Sequence, residues 1–313
     1  MQRGETMAKK LKTDEKILLI TDSSSDIPDE AVQKGGIVLL PIPVAMDGKS
    51  YLERVDFTTE EFYEKLAATK EIPVTSRIPA ATFQQAFEEA LEQGYTDVIV
   101  TTITSKGSGM FESAVLGKRQ FLEDHPEALR ITVLDSGTYT LGYGYPIMEA
   151  AEMARQGTSA AQIIAFLDDW YSCCEIIFAA YSLEYAKKSG RIPAVAAFVG
   201  DVLGLRPLIS IIDGETKVVA KIRGDKNVVS RMVEYAAGRI TEKKSATVAV
   251  YGTVEAYAQD LMKAAAKAFG RAPRMLGHLG ACIAVNSGPK TVALVFRGEK
   301  RINGRARESD YSK

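Results

Sequence analysis

Residues 97–114, DVIVTTITSKGSGMFESA, constrain the fold more than any other part of this chain. A short apolar run, Val98-Ile99-Val100, leads into a loop rich in hydroxyls: Thr101, Thr102, Thr104, Ser105 and Ser108. Gly107 and Gly109 flank Ser108, and a helical pattern runs from Met110 towards Phe121. A strand, a glycine and hydroxyl loop and a helix start, in that order, build an anion cradle. Glycines let the backbone approach a ligand closely, and the first amides of a helix have no intrahelical partner. Together with the positive end of the helix dipole they hold a carboxylate or phosphate without a lysine. The loop has no histidine and no carboxylate beside its serine. It suits holding an anion better than attacking a substrate. Gly and Ser also fill ordinary strand-to-helix connections, and that reading stays open. A second hydroxyl pair, Thr75-Ser76, lies between two amphipathic helical patterns. A capping role competes with ligand binding at Ser76.

The chain has 313 residues, room for two domains of about 150 residues each. A net charge of -1 argues against a nucleic-acid footprint, which is strongly basic. Only residues 297–307 are locally basic, and they read as a solvated tail. No apolar run approaches the roughly 20 residues of a membrane-spanning helix. The start, MQRGETMAKKLKTDEK, lacks the apolar core of a signal peptide. A cytoplasmic protein with at most transient membrane contact is expected. Cys173, Cys174 and Cys282 make no disulfide framework and no CxxC, and read as buried free thiols. No metal-ligand spacing is visible. His125 is expected to be exposed and His278 structural. With two histidines, a Ser-His-Asp hydrolase has few places to find its base. GxSxG, GxxxxGK[ST] and HExxH are all missing.

The first half alternates strand and helix patterns. Strands are expected at 16–21, 98–101 and 131–134, each ending in a polar loop: 22–26, 101–109 and 135–137. In a parallel sheet such loops share one edge, where ligands gather. Helices are expected at 29–34, 59–68, 82–93, 144–155 and 159–171. The second carries a capping box in Thr58 and Glu61. The run 37–45 contains Pro41 and Pro43 and reads as an edge or irregular strand. Beyond Gly157 the pattern mixes hairpin and helix. Strand 176–181, a short helix 183–189, a hairpin 208–212 and 218–222 about Asp213-Gly214, helices 227–243 and 254–269, and strands 247–251, 281–285 and 292–296 are expected. The fold class is α/β in two domains, the first a three-layer parallel-sheet domain and the second built on a mixed sheet. The expected division is an N-terminal extension at 1–15, domains at 16–157 and 158–298, and a basic tail at 299–313.

Several segments in order carry a family resemblance. They are Thr75-Ser76, residues 103–114 (ITSKGSGMFESA), Val133-Leu134-Asp135-Ser136, residues 183–192 (LEYAKKSGRI), Leu205-Arg206-Pro207-Leu208 before Asp213-Gly214, and Ser287-Gly288-Pro289. Each is weak singly. In this order over residues 17–296 the chain resembles the DegV family, which is similar to the lipid-binding subunits of bacterial fatty acid kinases. The resemblance implies a long-chain fatty acid held between two α/β domains, its carboxylate on hydroxyls of the first and its tail buried. A separate kinase subunit would phosphorylate that carboxylate to an acyl phosphate, so the chain itself would not be an enzyme and would need no cofactor. On this resemblance Ser108 and Thr75 anchor the carboxylate, with Ser76, Gly109 and Asn286 beside them. Arg191 and Arg223 would face the kinase or the phosphoryl group. The chain departs from the family pattern at Asn286, where a histidine is usual, and at Arg77, Pro79, Met110 and Lys290. Asn donates hydrogen bonds but carries no charge. Two other functions compete: a standalone enzyme for a lipid or small carboxylate with Ser108 as nucleophile, and a regulatory module without a ligand.

Overall fold

The computed structural model describes residues 14–196, 204–242, 245–302 and 305–311. The first half runs β1 (Ile17–Asp22), a 3-10 turn (Ser23–Ser25), α1 (Asp29–Gly35), β2 (Val38–Leu40), β3 (Pro43–Met46), β4 (Lys49–Leu52) and α2 (Thr59–Ala68). It continues with β5 (Val74–Thr75), α3 (Ala80–Glu92), β6 (Asp97–Thr102), α4 (Met110–Asp124), β7 (Arg130–Asp135), α5 (Leu141–Arg155) and α6 (Ala160–Cys173). The second half runs β8 (Cys174–Ala180), α7 (Glu184–Ser189), α8 (Pro193–Ala196), β9 (Leu205–Ile212), β10 (Glu215–Arg223) and α9 (Val228–Ala237). Then follow β11 (Val248–Tyr251), α10 (Glu255–Phe269), β12 (Leu276–His278), α11 (Ala281–Ser287) and β13 (Thr291–Arg297).

The protein is α/β in two domains. The first centres on a parallel sheet in the order β2-β1-β6-β7. Every residue of β6 is buried, as expected of a parallel strand covered on both faces. Helices α3 and α4 pack together on one face of the sheet, and α5 and α6 lie on the other. The second domain centres on a six-stranded mixed sheet, β10-β9-β8-β13-β11-β12, antiparallel except between β11 and β12. Helices α9 and α10 pack on its outer face around Ile177, Met232, Leu261 and Leu294. Helix α5 is shared, touching β1 and β6 on one side and β8, β11 and β13 on the other. One apolar core therefore runs from Leu18 and Val100 through Leu141 and Ile147 to Ile176 and Val295. Gly144 lets α5 seat directly on the loop after β1, since a Cβ there would collide with the Ser25 carbonyl. We propose that the domain division lies near Gly157, in the turn that joins α5 to α6, with α6 packing back on the first domain's sheet.

Local chemistry explains the elements that match the sequence reading. Thr58 accepts from the Glu61 amide while the Glu61 carboxylate accepts from the Thr58 amide, closing the capping box of α2. Asp213 and Gly214 both have positive φ, as the tight β9–β10 reversal requires.

Four expectations are corrected. Residues 281–285 form the helix α11 and not a strand. Five apolar residues carry no period that separates the two, and buried carboxylates that receive the amides of its first turn decide for helix. The run 37–45 is cut by Ile42 into two strands of different sheets, β2 and β3. The ninth helix ends at Ala237, before Gly238. The basic segment from Arg297 is not a solvated tail. Arg297 pairs with Asp169, Arg301 with Glu175 and Asp213, and Arg305 with Asp168.

Candidate functional site

β1, β6 and β7 end on one edge because their register is parallel: Thr21 lies beside Thr101 and Thr102 beside Asp135. The loops that follow are stitched together by two carboxylates. Asp22 Oδ2 accepts the Ile103 amide at 3.0 Å, and Asp135 accepts the Ser105 amide at 3.0 Å and the Ser105 hydroxyl at 2.6 Å. Thr104 O accepts the amides of Gly107 and Ser108, which folds the loop into a turn. Gly109 then caps α4 without any side-chain hydrogen bond. The first amides of α4, beside Ser108, thus lack both an intrahelical partner and a side-chain cap. Among the described residues the Ser108 hydroxyl has no hydrogen-bond partner in the protein, so it is free to bind a ligand.

This loop lines a cavity of about 250 Å³ between the two domains. Thr75, Ser76, Arg77, Ser108, Gly109 and Arg191 contribute polar lining. Opposite them, Ile176 and Phe178 of β8, Ile211 of β9 and Ala293 of β13 form an aliphatic and aromatic wall from the mixed sheet. Ile42, Ile103, Leu279 and Ile283 extend the apolar surface. The hydroxyls of Thr75, Ser76 and Ser108 thus face a wall that is mainly hydrocarbon, with Arg191 and Asn286 of the second domain adding polar groups to the same cavity.

The sequence-predicted residues divide clearly. Thr75, Ser76, Ser108, Gly109, Arg191 and Asn286 all line this one cavity. Thr75 ends the short strand β5, and its hydroxyl lies within hydrogen-bond reach of the Cys282 thiol. Ser76 caps no helix; its amide bonds Pro43 O, and Pro79 stands at the N-cap of α3. Arg191 follows Gly190, whose φ of 66° ends α7, and its Nη1 donates to Gly107 O at 3.0 Å. The second domain therefore touches the cradle loop directly. Asn286 is not a turn residue but part of α11, donating Nδ2 to Cys282 O at 2.7 Å. That leaves its second amide hydrogen for the cavity. Arg223 is not brought to the cavity. It is exposed at the far end of β10, seven residues past the lining residue Thr216, or roughly 24 Å along an extended strand.

The structure adds Arg77, Tyr139 and Thr140 to the lining. A Cβ at Gly109 would lie 2.8 Å from Arg77 Nη1, so that guanidinium overhangs the cradle, where it also pairs with Glu112 at 2.9 Å. A Cβ at Gly107 would lie 2.5 Å from the Tyr139 hydroxyl. Burial pushes the Tyr139 phenol up to about 12, so it remains a neutral donor. Tyr139 and Thr140 lie just beyond the third polar loop at 135–137, after Thr138. Nearness to that loop is the one sequence feature that could have pointed to them.

Behind the cavity lies a second polar group of a different kind. Glu53, 1% exposed, accepts from the Ser23 hydroxyl at 2.6 Å and the Cys282 amide at 3.0 Å. Asp26 accepts the Gly280 amide at 2.9 Å. These contacts hold the N-terminus of α11, and a Cβ at Gly280 would lie only 2.6 Å from Glu53 and 2.8 Å from Asp26. Burial raises both carboxyls above the usual carboxylate range, Asp26 the more strongly, with repulsion from Glu53 adding to it. Burial also pushes the Cys282 thiol well up, which keeps it protonated and a poor nucleophile. All three cysteines are buried and unpaired. His125 is half-buried against Phe121 rather than exposed. His278 is stacked between Tyr63 and Tyr251, with centroids 4.9 and 4.8 Å away. Among the described residues, no helix is long and apolar enough to cross a membrane.

Known proteins share this fold. A family model described as an uncharacterised protein of the DegV family matches residues 16–299. A DegV domain-containing protein of Caldanaerobacter subterraneus is 35% identical over 71% of this chain and 76% of its own length. Another from Clostridium perfringens is 32% identical over 90% of this chain and 99% of its own. Two solved structures superpose closely at 28% identity. A DegV family protein from Thermus thermophilus, described for its fatty acid binding, has a TM-score of 0.81 and covers 91% of this chain and 100% of its own. A stearic acid-binding protein from Eubacterium ventriosum has a TM-score of 0.82 and covers 90% and 98%.

Proposed function

The chain belongs to the DegV family, and from that premise we propose that it binds one long-chain fatty acid in the cavity between its domains and presents the carboxylate to a separate kinase subunit. One observation carries the reading: a single cavity has unpartnered hydroxyls and helix amides on one side and a hydrocarbon wall on the other. The fatty acid ligands of the Thermus and Eubacterium relatives support it. Ser108, Thr75 and the α4 amides bind the carboxylate, with Ser76, Gly109 and Asn286 around it. The tail lies against Ile176, Phe178 and Ile211.

The magnitudes favour a division of labour. A sixteen-carbon tail has about fifteen methylene-type groups, and burial of each contributes about 0.8 kcal/mol before the costs of association. A hydrogen bond to a charged group contributes about 1.5–3 kcal/mol. The tail sets affinity and the hydroxyls set orientation. Ser108, Thr75 and the α4 amides are neutral donors and leave the carboxylate nucleophilic, where an arginine fork would hold its lone pairs; Arg77, which overhangs the cradle, is paired with Glu112. In the transfer, a carboxylate oxygen bonds the terminal phosphorus of a nucleoside triphosphate held by the kinase, as the bond to the diphosphate breaks. The metal and phosphate-binding groups for that step belong to the kinase. Arg191, exposed at the mouth, is positioned to meet the phosphoryl group; Arg223 can serve only as a contact with the partner's surface.

Native mass spectrometry of the purified protein, followed by denaturation and lipid extraction, tests the reading. A mass excess of one long-chain fatty acid that disappears on denaturation is expected. A protein that is empty and takes up neither added palmitate nor oleate would overturn it.

A further inference from the structure

The family match ends at residue 299, yet the chain beyond it is built into the machinery around the cradle. Three observations converge on Asp135. Its carboxylate holds the cradle loop through Ser105, and the same Oδ2 that receives the Ser105 hydroxyl accepts the Ala306 amide at 2.9 Å. Arg305 donates to the Asp135 carbonyl at 3.3 Å and packs over Gly137, where a Cβ would lie 2.6 Å from its side chain. The guanidinium of Arg305 also pairs with Asp168 at 2.9 Å and lies over the Tyr171 ring. Arg301 braces the loop from the other domain. It bonds Asp213 at 3.1 Å, Glu175 at 3.3 Å and Cys174 O at 2.8 Å. Asp213 begins the β9–β10 turn, whose Gly214 abuts Thr104 and whose Glu215 pairs with Lys106 at 2.6 Å. Further along, Glu308 accepts the Val133 amide at 2.7 Å and pairs with Lys118, and the Tyr311 ring meets Phe111 of α4 edge-on. The cradle loop is thus held at 104–106 by groups that the C-terminal segment braces, and the helix that follows it is met at Phe111 by Tyr311.

We propose that this segment is a strap that positions the carboxylate cradle, with Arg301, Arg305 and Ala306 acting as positioning residues for ligand binding. Its described residues touch Asp135 and Asp213 but line none of the cavity, so its effect passes through the loop. The inference rests on the fatty-acid reading of the site for its functional consequence. Its structural content, that the strap orders the loop, is separate.

The experiment pairs two measurements on the full chain, the R305A and R301A/R305A variants, and R305K as the conservative control. Palmitate affinity is read by calorimetry, and hydrogen exchange by mass spectrometry in peptides covering 104–109, with peptides from α9 and α10 as reference. R301A/R305A should bind palmitate about tenfold more weakly, with faster exchange confined to the cradle loop and the strap. R305K should recover part of both. Unchanged affinity and unchanged loop exchange would overturn the proposal. Faster exchange spread equally through α9 and α10 would overturn it too, by showing a general loss of stability. If the wild type binds no palmitate, the fatty-acid reading fails while loop exchange still decides whether the strap orders the cradle.

Discussion

The loop after β1 and the loop after β6 leave the same edge of the same sheet, and their sequences look alike. One reads Asp22-Ser23-Ser24-Ser25-Asp26, the other Thr101–Gly109 with its five hydroxyls. The structure gives them opposite fates. The first is wholly buried. Asp22 accepts from Ser24, Tyr143 and Ile103, Ser23 donates to Glu53, and Asp26 holds Gly280. Its polar groups are spent mostly on other parts of the protein. The second is half-exposed from Ser105 to Gly109, and its Ser108 hydroxyl is kept for something outside the chain. Density of hydroxyls does not identify a binding loop; hydroxyls left unsatisfied at a cavity wall do.

The sharpest way to break this contrast is to remove a group from each loop's network. Glu53→Ala leaves the Ser23 hydroxyl and the Cys282 amide without a buried partner. It should cost about 3 kcal/mol of stability, seen as a fall in the urea midpoint, with ligand binding lost alongside. Ser108→Ala should do the reverse. Palmitate affinity should fall about tenfold while stability stays within about 0.5 kcal/mol of wild type, checked by calorimetry and urea melts on one preparation. Equal losses of stability in both variants would erase the distinction.

A subtler test uses pH. Burial raises Glu53 and Asp26 in the folded state above their ordinary values of 4.5 and 3.8. The folded protein then holds protons that the unfolded chain has released. Stability from this pair is present at low pH and falls as pH rises from about 4 through the raised folded values. Glu53→Gln keeps the shape but removes one titrating group. The difference in stability between wild type and Glu53→Gln should therefore shift against wild type as pH rises from about 4 to 7. A difference that stays flat would show that the Glu53 carboxyl titrates alike in the folded and unfolded states. The smallest effect is expected at Arg223→Ala, which should leave palmitate affinity unchanged, whereas Arg191→Ala should spare binding but block acyl phosphate formation with a cognate kinase. Lipid loss in Arg191→Ala would make Arg191 part of the pocket.

The sequence made much of this legible where local chemistry decides. The capping box at Thr58, the Asp213-Gly214 reversal and the run of strands with polar ends each have a local cause. The candidate cradle residues come from the family resemblance, because glycines and hydroxyls before a helix also occur in ordinary connections. What stayed hidden depends on distant partners. Helix α11 is fixed by Glu53 and Asp26, more than two hundred residues away, so five apolar residues could not declare themselves helical. Tyr139 and Arg77 carry no motif and reach the cradle only through the packing of neighbouring loops. The basic C-terminal segment looked solvated because Asp168, Asp169, Glu175 and Asp213 are scattered through the sequence.

The central claim is that the carboxylate lies in the cradle of the first domain and the tail against the second. Carbon NMR of bound palmitate labelled at its carboxyl carbon tests it most directly. One carboxyl resonance is predicted, displaced by Ser108→Ala and Thr75→Ala and insensitive to Phe178→Leu on the tail wall. A resonance that ignores both hydroxyl variants and moves with Phe178→Leu would put the ligand in the opposite orientation and contradict the account.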